Sequence, residues 1–190
     1  MMESLWYKMA KEQGLTVPQV FYKNEEMIVL QRVYGDKPTA GKICEILFNL
    51  RRCKNTIRTN NFQSYIDNIV FKVQNVRNFF INNELSKYNL IPSFFHGDFS
   101  TPNIIGHYLI DPGNQNIFGN WQTDAAKAMF SFLVYEKDLE GAKDIANWCG
   151  DKKLMWLLCA AEGSRVAKYN EKYNTFVNNI LDIYDSMPTL

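Results

Sequence analysis

The chain has 190 residues, of which 46% are hydrophobic and 14% aromatic, and its formal net charge is +1. This composition predicts one globular domain and excludes a disordered chain. A near-neutral chain gives no electrostatic reason to expect nucleic acid or a membrane as a partner, and no apolar run approaches the roughly 18 residues of a membrane span. Four cysteines without close-paired spacing and only two histidines disfavour a zinc site or a disulfide framework. We therefore expect a cytoplasmic protein with reduced thiols.

The beginning of the chain predicts a short helix followed by a β-hairpin. Residues 3–13 have a helical pattern that ends at Gly14. The next apolar segments, Gln19–Lys23 and Met27–Val33, predict two strands that are joined by a turn at Asn24–Glu25.

Helices are predicted for the next part of the chain. Thr39 can cap a helix whose buried side chains, at helical spacing, would be Ile43, Leu47 and Leu50. After a polar connection, a long helix is predicted from about Phe62 to Tyr88. Its apolar stripe would consist of Tyr65, Ile69, Val73, Val76 and Phe80.

A tight hairpin and four more helices are predicted after Pro92. The hairpin would place two short apolar strands around Gly106–His107, with the histidine exposed at its tip. Thr123 or Asp124 can cap the next helix. The fold class is therefore α+β, with a small β element before a mostly helical body. The last three helices are predicted over 138–148, 151–165 and 170–185.

The second hairpin and the loop before it gather residues that can hold a cation and move a proton. Asn103 begins the first strand and Asp111 ends the second, so the hairpin brings the two side chains together. Carboxylate and amide oxygens are ligands that suit Mg²⁺. Asp98, in the loop before Asn103, could then accept the proton of an attacking hydroxyl. A base, an amide ligand and a carboxylate ligand are the parts that kinases use for phosphoryl transfer.

Three segments of the sequence resemble one family. "HGDFSTPNII…YLIDPG" resembles the H-G-D-x-x-x-x-N…[IV]-D motif of the aminoglycoside phosphotransferase and choline kinase group, which has a protein-kinase-like fold. "FGNWQTDAAKAMFSF" is similar to the G-[DN]-…-D-x-A-K-x-x-x-S segment of members linked to capsule and surface-polysaccharide biosynthesis. "VPQVFYKNEEMIVLQRVYGD" is similar to the strand pair and interlobe hinge that precede the helical lobe. The resemblance covers roughly residues 17–135.

The resemblance implies a role for each matched residue of the loop and hairpin. Asp98 matches the catalytic aspartate of the family. Asn103 and Asp111 match its two metal ligands, which implies Mg²⁺ and ATP. His96 and Gly97 match positions that shape the loop, and we expect His96 to be structural rather than catalytic.

Two further elements follow from the same resemblance. Asp124 matches the aspartate at a helix start that braces the catalytic loop in relatives, although an N-cap role alone would also explain its position. Arg32 is expected to be a surface charge as well as a hinge residue. The hinge whose backbone would face an adenine ring consists of Leu30, Gln31, Arg32 and Val33.

The resemblance also implies a division of the chain. Residues 1–36 would be a truncated N-lobe with the hinge, and residues 37–190 would be the helical C-lobe that carries the catalytic and metal-binding loops. Kinase-like folds carry a glycine-rich loop and a strand-borne lysine before the hinge. We assign neither of these to any residue before Gln31.

Several functions remain open at this point. The first is a phosphotransferase that acts on a hydroxyl of a small molecule, such as a sugar or sugar-like alcohol bound among the C-terminal helices. The second is a non-catalytic, pseudokinase-like binding or assembly module, or half of a split kinase whose partner supplies the N-lobe. Metal-dependent phosphoester hydrolysis is a third. Strand edges in the short β portion could be covered by self-association.

Overall fold

The structure is a computed structural model, and it describes residues 2–53, 76–85, 87–88, 90, 93–113, 118–167 and 169–188. Within these ranges, none of the helices is long and apolar enough to cross a membrane.

Helices make up most of the described chain. A π-helix, Phe132–Glu136, directly continues the fourth α-helix, and a 3₁₀ turn at Thr101–Asn103 precedes the second hairpin. The α-helices are α1 (Met2–Glu12), α2 (Ala40–Arg52), α3 (Val76–Leu85), α4 (Trp121–Ser131), α5 (Leu139–Cys149), α6 (Lys152–Ala167) and α7 (Tyr173–Asp185).

The strands form short antiparallel pairs rather than one sheet. β1 pairs with β2, β3 with β6, and β4 with β5. The pairing of β3 with β6 was not predicted, because each strand has only two residues. The strands are β1 (Val20–Lys23), β2 (Ile28–Leu30), β3 (Ser93–Phe94), β4 (Ile104–Ile105), β5 (Tyr108–Leu109) and β6 (Phe118–Gly119).

The predicted N-terminal helix and first hairpin are confirmed. α1 is followed by Gly14, whose φ of +80° is a backbone conformation that glycine adopts without strain. The Asn24 side chain closes the turn between β1 and β2, since its Oδ1 accepts N–H bonds from Glu26 and Met27. The second strand is shorter than predicted. It spans Ile28–Leu30 instead of Met27–Val33.

The prediction for α2 is confirmed, and that for the long helix is partly wrong. Thr39 caps α2 by accepting a hydrogen bond from the backbone N–H of Lys42. α3 is helical as predicted, but Phe80 is 37% exposed, while Ile81 and Leu85 are buried. The buried face of α3 is therefore shifted by one residue from the predicted stripe. The predicted stripe positions Tyr65, Ile69 and Val73 lie outside the described residues.

The core of the helical body is built around α6. This helix packs against α3, α4, α5 and α7. A helix that is apolar all round is expected to be buried, and the residues from Leu154 to Ala161 are all buried. The three C-terminal helices are confirmed, and Asp138 caps α5 through the backbone N–H of Gly141.

The predicted cap of α4 is wrong. The helix begins at Trp121, and its cap is Asn120, whose side chain accepts a hydrogen bond from the backbone N–H of Gln122. Thr123 and Asp124 lie inside the first turn and are buried. The carboxylate of Asp124 therefore does not cap α4, and it accepts hydrogen bonds from another part of the chain.

Candidate active site

The second hairpin forms as predicted, and it places Asn103 opposite Ile110, the residue before Asp111. Gly106, with a φ of +58°, makes the turn between β4 and β5, and His107 beside it is exposed. Asn103 ends the 3₁₀ turn directly before β4. Its carbonyl accepts the backbone N–H of Ile110 at 3.0 Å, so Asn103 lies across from the residue before Asp111.

The loop before this hairpin is organised by a buried histidine. His96 is fully buried, and its Nδ1 accepts the backbone N–H of Asp98 at 3.3 Å. Its Nε2 therefore carries the proton and donates to the carbonyl of Ile110 at 2.9 Å. Burial lowers the pKa of His96 to about 4, which keeps the ring neutral. The ring therefore ties the loop to the hairpin.

Two glycines let the loop approach the chain that leaves the hairpin. Gly97 has a φ of +81°. A Cβ atom on Gly113 would lie 2.7 Å from the carbonyl carbon of Gly97, which leaves no room for a side chain. The N–H of Gly113 donates to the carbonyl of His96 at 2.9 Å. Gly97 and Gly113 therefore let these two segments pack backbone against backbone.

Asp124 braces the loop directly. Its Oδ2 accepts the backbone N–H of His96 at 2.6 Å, and its Oδ1 accepts that of Gly97 at 2.9 Å. Burial raises the pKa of Asp124 to about 7, and the two backbone hydrogen bonds act in the opposite direction. One buried carboxyl group therefore satisfies both backbone N–H groups of the loop.

The same face of α4 holds the following part of the loop. Lys127 lies three residues after Asp124, and its Nζ is 2.6 Å from Oδ1 of Asp98. Ser131, four residues further on, accepts the backbone N–H of Thr101 at 2.9 Å. Residues spaced by three and four positions share one face of a helix. The loop from His96 to Thr101 therefore runs along one face of α4.

A polar network extends from Ser131, which is buried, to Lys37, which is exposed. The hydroxyl of Thr101 donates to Oε1 of Glu136 at 3.0 Å, so the hydroxyl of Ser131 donates to that of Thr101. Glu136 also pairs with Lys37 at 3.0 Å. The π-helix thus links the loop to the segment between β2 and α2.

α1 supplies the opposite wall of the loop. Trp6 donates its indole N–H to the carbonyl of Phe95 at 2.8 Å, and its ring lies edge-on to His96. The Tyr7 hydroxyl accepts the backbone N–H of Asp111 at 3.0 Å, and burial raises the pKa of Tyr7 to about 12. Burial and the neighbouring Asp111 raise the pKa of Glu3. α1 therefore contacts both the loop and the exit of the hairpin.

The donor set fits Mg²⁺ bound together with phosphates. Asn103 donates its side-chain N–H to the carbonyl of Asp98 at 3.0 Å, and this bond leaves the amide oxygen as the atom for a cation. Asp111 is exposed, with a φ of +51°. In the described part of the chain, no three His, Cys, Asp or Glu residues are grouped as a metal site. Mg²⁺ with a nucleotide needs only one or two protein carboxylates, since phosphates and waters complete its octahedron.

The proposed hinge follows the first hairpin directly. The N–H of Gln31 donates to the carbonyl of Gln19 at 2.8 Å, so this group belongs to the hairpin. Arg32 is exposed, as expected for a surface charge, and Leu30 and Val33 are half-buried. The role of the segment Leu30–Val33 towards an adenine ring stays a prediction.

A lysine does stand on a strand before Gln31, which corrects the expectation from the sequence. β1 ends at Lys23, whose side chain is exposed and whose Nζ lies 3.5 Å from the Ser4 hydroxyl of α1. Lys23 therefore stands on a strand and faces α1, although we assign it no part in the site.

No protein-family model matches the chain, and no curated protein does. Among solved structures, it is similar to a choline/ethanolamine kinase family protein from Mesorhizobium loti. The identity is 12%, the TM-score is 0.59, and the match covers 98% of this chain and 80% of the other. It is also similar to the ADP-bound aminoglycoside phosphotransferase APH(2'')-Ib. There the identity is 16%, the TM-score is 0.58, and the coverage is 95% and 80%.

The comparisons establish the fold. The chain has the protein-kinase-like fold that these two structures share, and the fold expected from the motifs is confirmed at this level. The link to capsule polysaccharides, the loss of part of the N-lobe and the division at residue 36 stay predictions.

Sequence reasoning gave no role to several residues of the site. Lys127 and Ser131 stand in the D-x-A-K-x-x-x-S segment that carried the resemblance, and their spacing from Asp124 was the signal that they share its helix face. Trp6 and Tyr7 lie about ninety residues before the loop, and nothing local in the sequence indicates that contact.

Proposed function

We propose that this chain is a phosphotransferase that moves the γ-phosphate of ATP to a hydroxyl group of a small molecule. One observation carries the proposal: within a protein-kinase-like fold, Asn103 bonds to the backbone carbonyl of Asp98 and, across the hairpin, to Ile110, the residue before Asp111. We assign Asp98 as the base, Asn103 as the amide ligand and Asp111 as the carboxylate ligand.

In the proposed reaction, the acceptor hydroxyl attacks the γ-phosphorus of ATP while its proton passes to the carboxylate of Asp98. The bond from the γ-phosphorus to the β,γ-bridging oxygen breaks, and ADP leaves. Asn103 and Asp111 would hold Mg²⁺, which when bound neutralises charge on the phosphates. The carboxylate of Asp98 is 39% exposed, so an acceptor can reach it.

We further propose that the acceptor is a sugar or sugar-like alcohol. The similarity of the segment around Asp124 to surface-polysaccharide members supports this choice. Aromatic faces on the C-terminal side of the chain can stack on a sugar ring, and Tyr135 and Tyr169 are 54% and 79% exposed. No nucleic acid or membrane enters this function, and a cytoplasmic location stays a prediction.

Calorimetric titration of the purified chain with ATP, with and without Mg²⁺, tests the proposal. We expect binding that depends on Mg²⁺ and that Asp111→Ala removes. Turnover, measured as ADP release with a panel of sugar alcohols, should disappear in Asp98→Asn while circular dichroism shows that the protein stays folded. Asp138→Asn is the matched control, since it makes the same change at a helix cap. Unchanged turnover in Asp98→Asn would sink the assignment.

The exposed first hairpin favours a second candidate, a non-catalytic module or half of a split kinase. Four large apolar side chains of the hairpin, Phe21, Tyr22, Met27 and Val29, are more than 40% exposed. A partner that supplies N-lobe strands, or a second copy, would cover such a surface. Mg²⁺–ATP at millimolar concentration should raise the melting temperature of a nucleotide-binding enzyme, and no shift would favour the module.

A further inference from the structure

The loop and hairpin that carry the proposed base contain no cation of their own. Residues 93–113 include neither lysine nor arginine. Phosphoryl transfer places negative charge on the γ-phosphate oxygens, and kinases and related enzymes stabilise it with cationic side chains as well as metal. A cation must therefore come from another element.

Lys127 of α4 is the cation that the structure brings to the base. Its Nζ lies 2.6 Å from Oδ1 of Asp98 and donates to the carbonyl of Gly97 at 3.3 Å. The side chain is only 15% exposed, whereas that of Asp98 is 39% exposed. A largely buried ammonium is costly unless it is paired, and here its pairing partner is the residue proposed to accept the proton.

Holding the loop in place does not require this ion pair. Asp124 already accepts the N–H groups of His96 and Gly97, and Ser131 accepts that of Thr101. These contacts fix the loop on both sides of Asp98. The contact of Lys127 with the carboxylate of Asp98 is therefore additional to the contacts by which α4 already holds the loop.

We propose that Lys127 binds an oxygen of the γ-phosphate and stabilises the charge that develops there during transfer. An ammonium group has three N–H donors, and the contacts with Asp98 and Gly97 use two. The hydroxyl held by Asp98 must lie against the γ-phosphorus, so an ammonium at 2.6 Å from Asp98 is within reach of the γ-phosphate oxygens. This role rests on the proposed function and extends it to a residue outside the loop.

A comparison of ATP with ADP isolates the contact, since only ATP carries the γ-phosphate. Calorimetric titrations with Mg²⁺–ATP and Mg²⁺–ADP are made on the full chain and on Lys127→Met. We expect the Kd for ATP to rise at least about tenfold, which corresponds to one charge-assisted hydrogen bond, and the Kd for ADP to stay within about twofold. Lys127→Arg should recover part of the ATP affinity. Lys143→Met, which removes a lysine paired with Glu140 on α5, is the control and should change neither constant.

The outcomes distinguish a failure of the role proposed for Lys127 from a failure of the proposed function. A loss that is equal for ATP and ADP, or no loss, would show that Lys127 only holds the loop, and it would overturn this inference alone. If the unaltered chain binds neither nucleotide, the proposed function fails and this role fails with it. Melting temperatures are measured for each variant, and Lys127→Gln, which keeps a polar side chain, replaces Lys127→Met if the latter does not fold.

Discussion

The loop from His96 to Thr101 and the first hairpin are both short reversals of the backbone, yet they are held in different ways. The loop from His96 to Thr101 is bound by side chains of α1 and α4 and by its own buried histidine. The hairpin Val20–Leu30 is held by its backbone ladder and one asparagine, and most of its side chains are exposed. The geometry of the candidate site is therefore set from the helical body, and the largest effects of mutation are expected there.

Asp124→Asn should have the largest effect on stability. The two carboxylate oxygens accept N–H bonds from His96 and Gly97 at 2.6 and 2.9 Å in a fully buried position. An asparagine has one oxygen, so its amide group would face one of these donors. We expect the free energy of unfolding to fall by about 3 kcal/mol in urea titrations.

Asp138→Asn makes the same chemical change without that conflict. Asp138 caps α5 with one oxygen, which accepts the N–H of Gly141 at 2.8 Å, and asparagine caps a helix as well as aspartate does. A change within about 0.5 kcal/mol is expected. Equal losses in the two variants would show that Asp124 is not the brace of the loop.

The pH dependence of stability should reveal the buried His96. Its pKa falls from 6.5 to about 4 on burial. Between these values the unfolded chain binds a proton that the folded chain does not, so stability decreases as the pH falls. His96→Gln lacks this contribution. The stability difference between the two proteins should shrink by roughly 2 kcal/mol between about pH 7.5 and about pH 5.

Asp124 changes the pH dependence of stability in the opposite direction. For this reason the stability of the unaltered protein is compared with that of His96→Gln at each pH. Burial raises its pKa from 3.8 to about 7, so the folded chain binds the extra proton in that range and stability decreases as the pH rises. This contribution is present in both proteins and cancels. A difference that is the same at both pH values would mean that the pKa of His96 is not lowered in the folded protein.

Local patterns in the sequence predicted the elements that depend on neighbouring residues. The turn at Gly106–His107 predicted the hairpin that joins Asn103 to the residues before Asp111, and the Thr39 cap was placed correctly. These features follow from backbone preferences within a few residues.

Contacts between distant segments explain what the sequence did not predict. Asn120, Thr123 and Asp124 can all cap a helix, and the cap falls on Asn120 because the loop uses Asp124. The phase of α3 was predicted one residue off, because Phe80 and Ile81 are equally apolar. The contact of Trp6 with the loop has no local signal at all.

A smaller effect is expected at the turn of the first hairpin. Oδ1 of Asn24 accepts the N–H groups of Glu26 and Met27 at 2.9 and 2.7 Å, in an exposed position. Asn24→Ala should cost about 1 kcal/mol, because water replaces part of the lost bonding. Glu25→Ala, at the next position of the turn, should change stability by less than about 0.5 kcal/mol. Equal values for the two variants would mean that the asparagine does not hold the turn.

The smallest effect is expected for Phe21→Ser on the face of that hairpin. Phe21 is 62% exposed and lies at the irregularity in the pairing of β1 with β2. If water covers this face, the free energy of unfolding should change by no more than about 0.5 kcal/mol. Ile28→Ser, whose side chain packs against the core, should cost clearly more. A loss above about 1 kcal/mol for Phe21→Ser that disappears on dilution would instead show that a second copy covers the hairpin, since the stabilisation that association provides increases with the logarithm of the protein concentration.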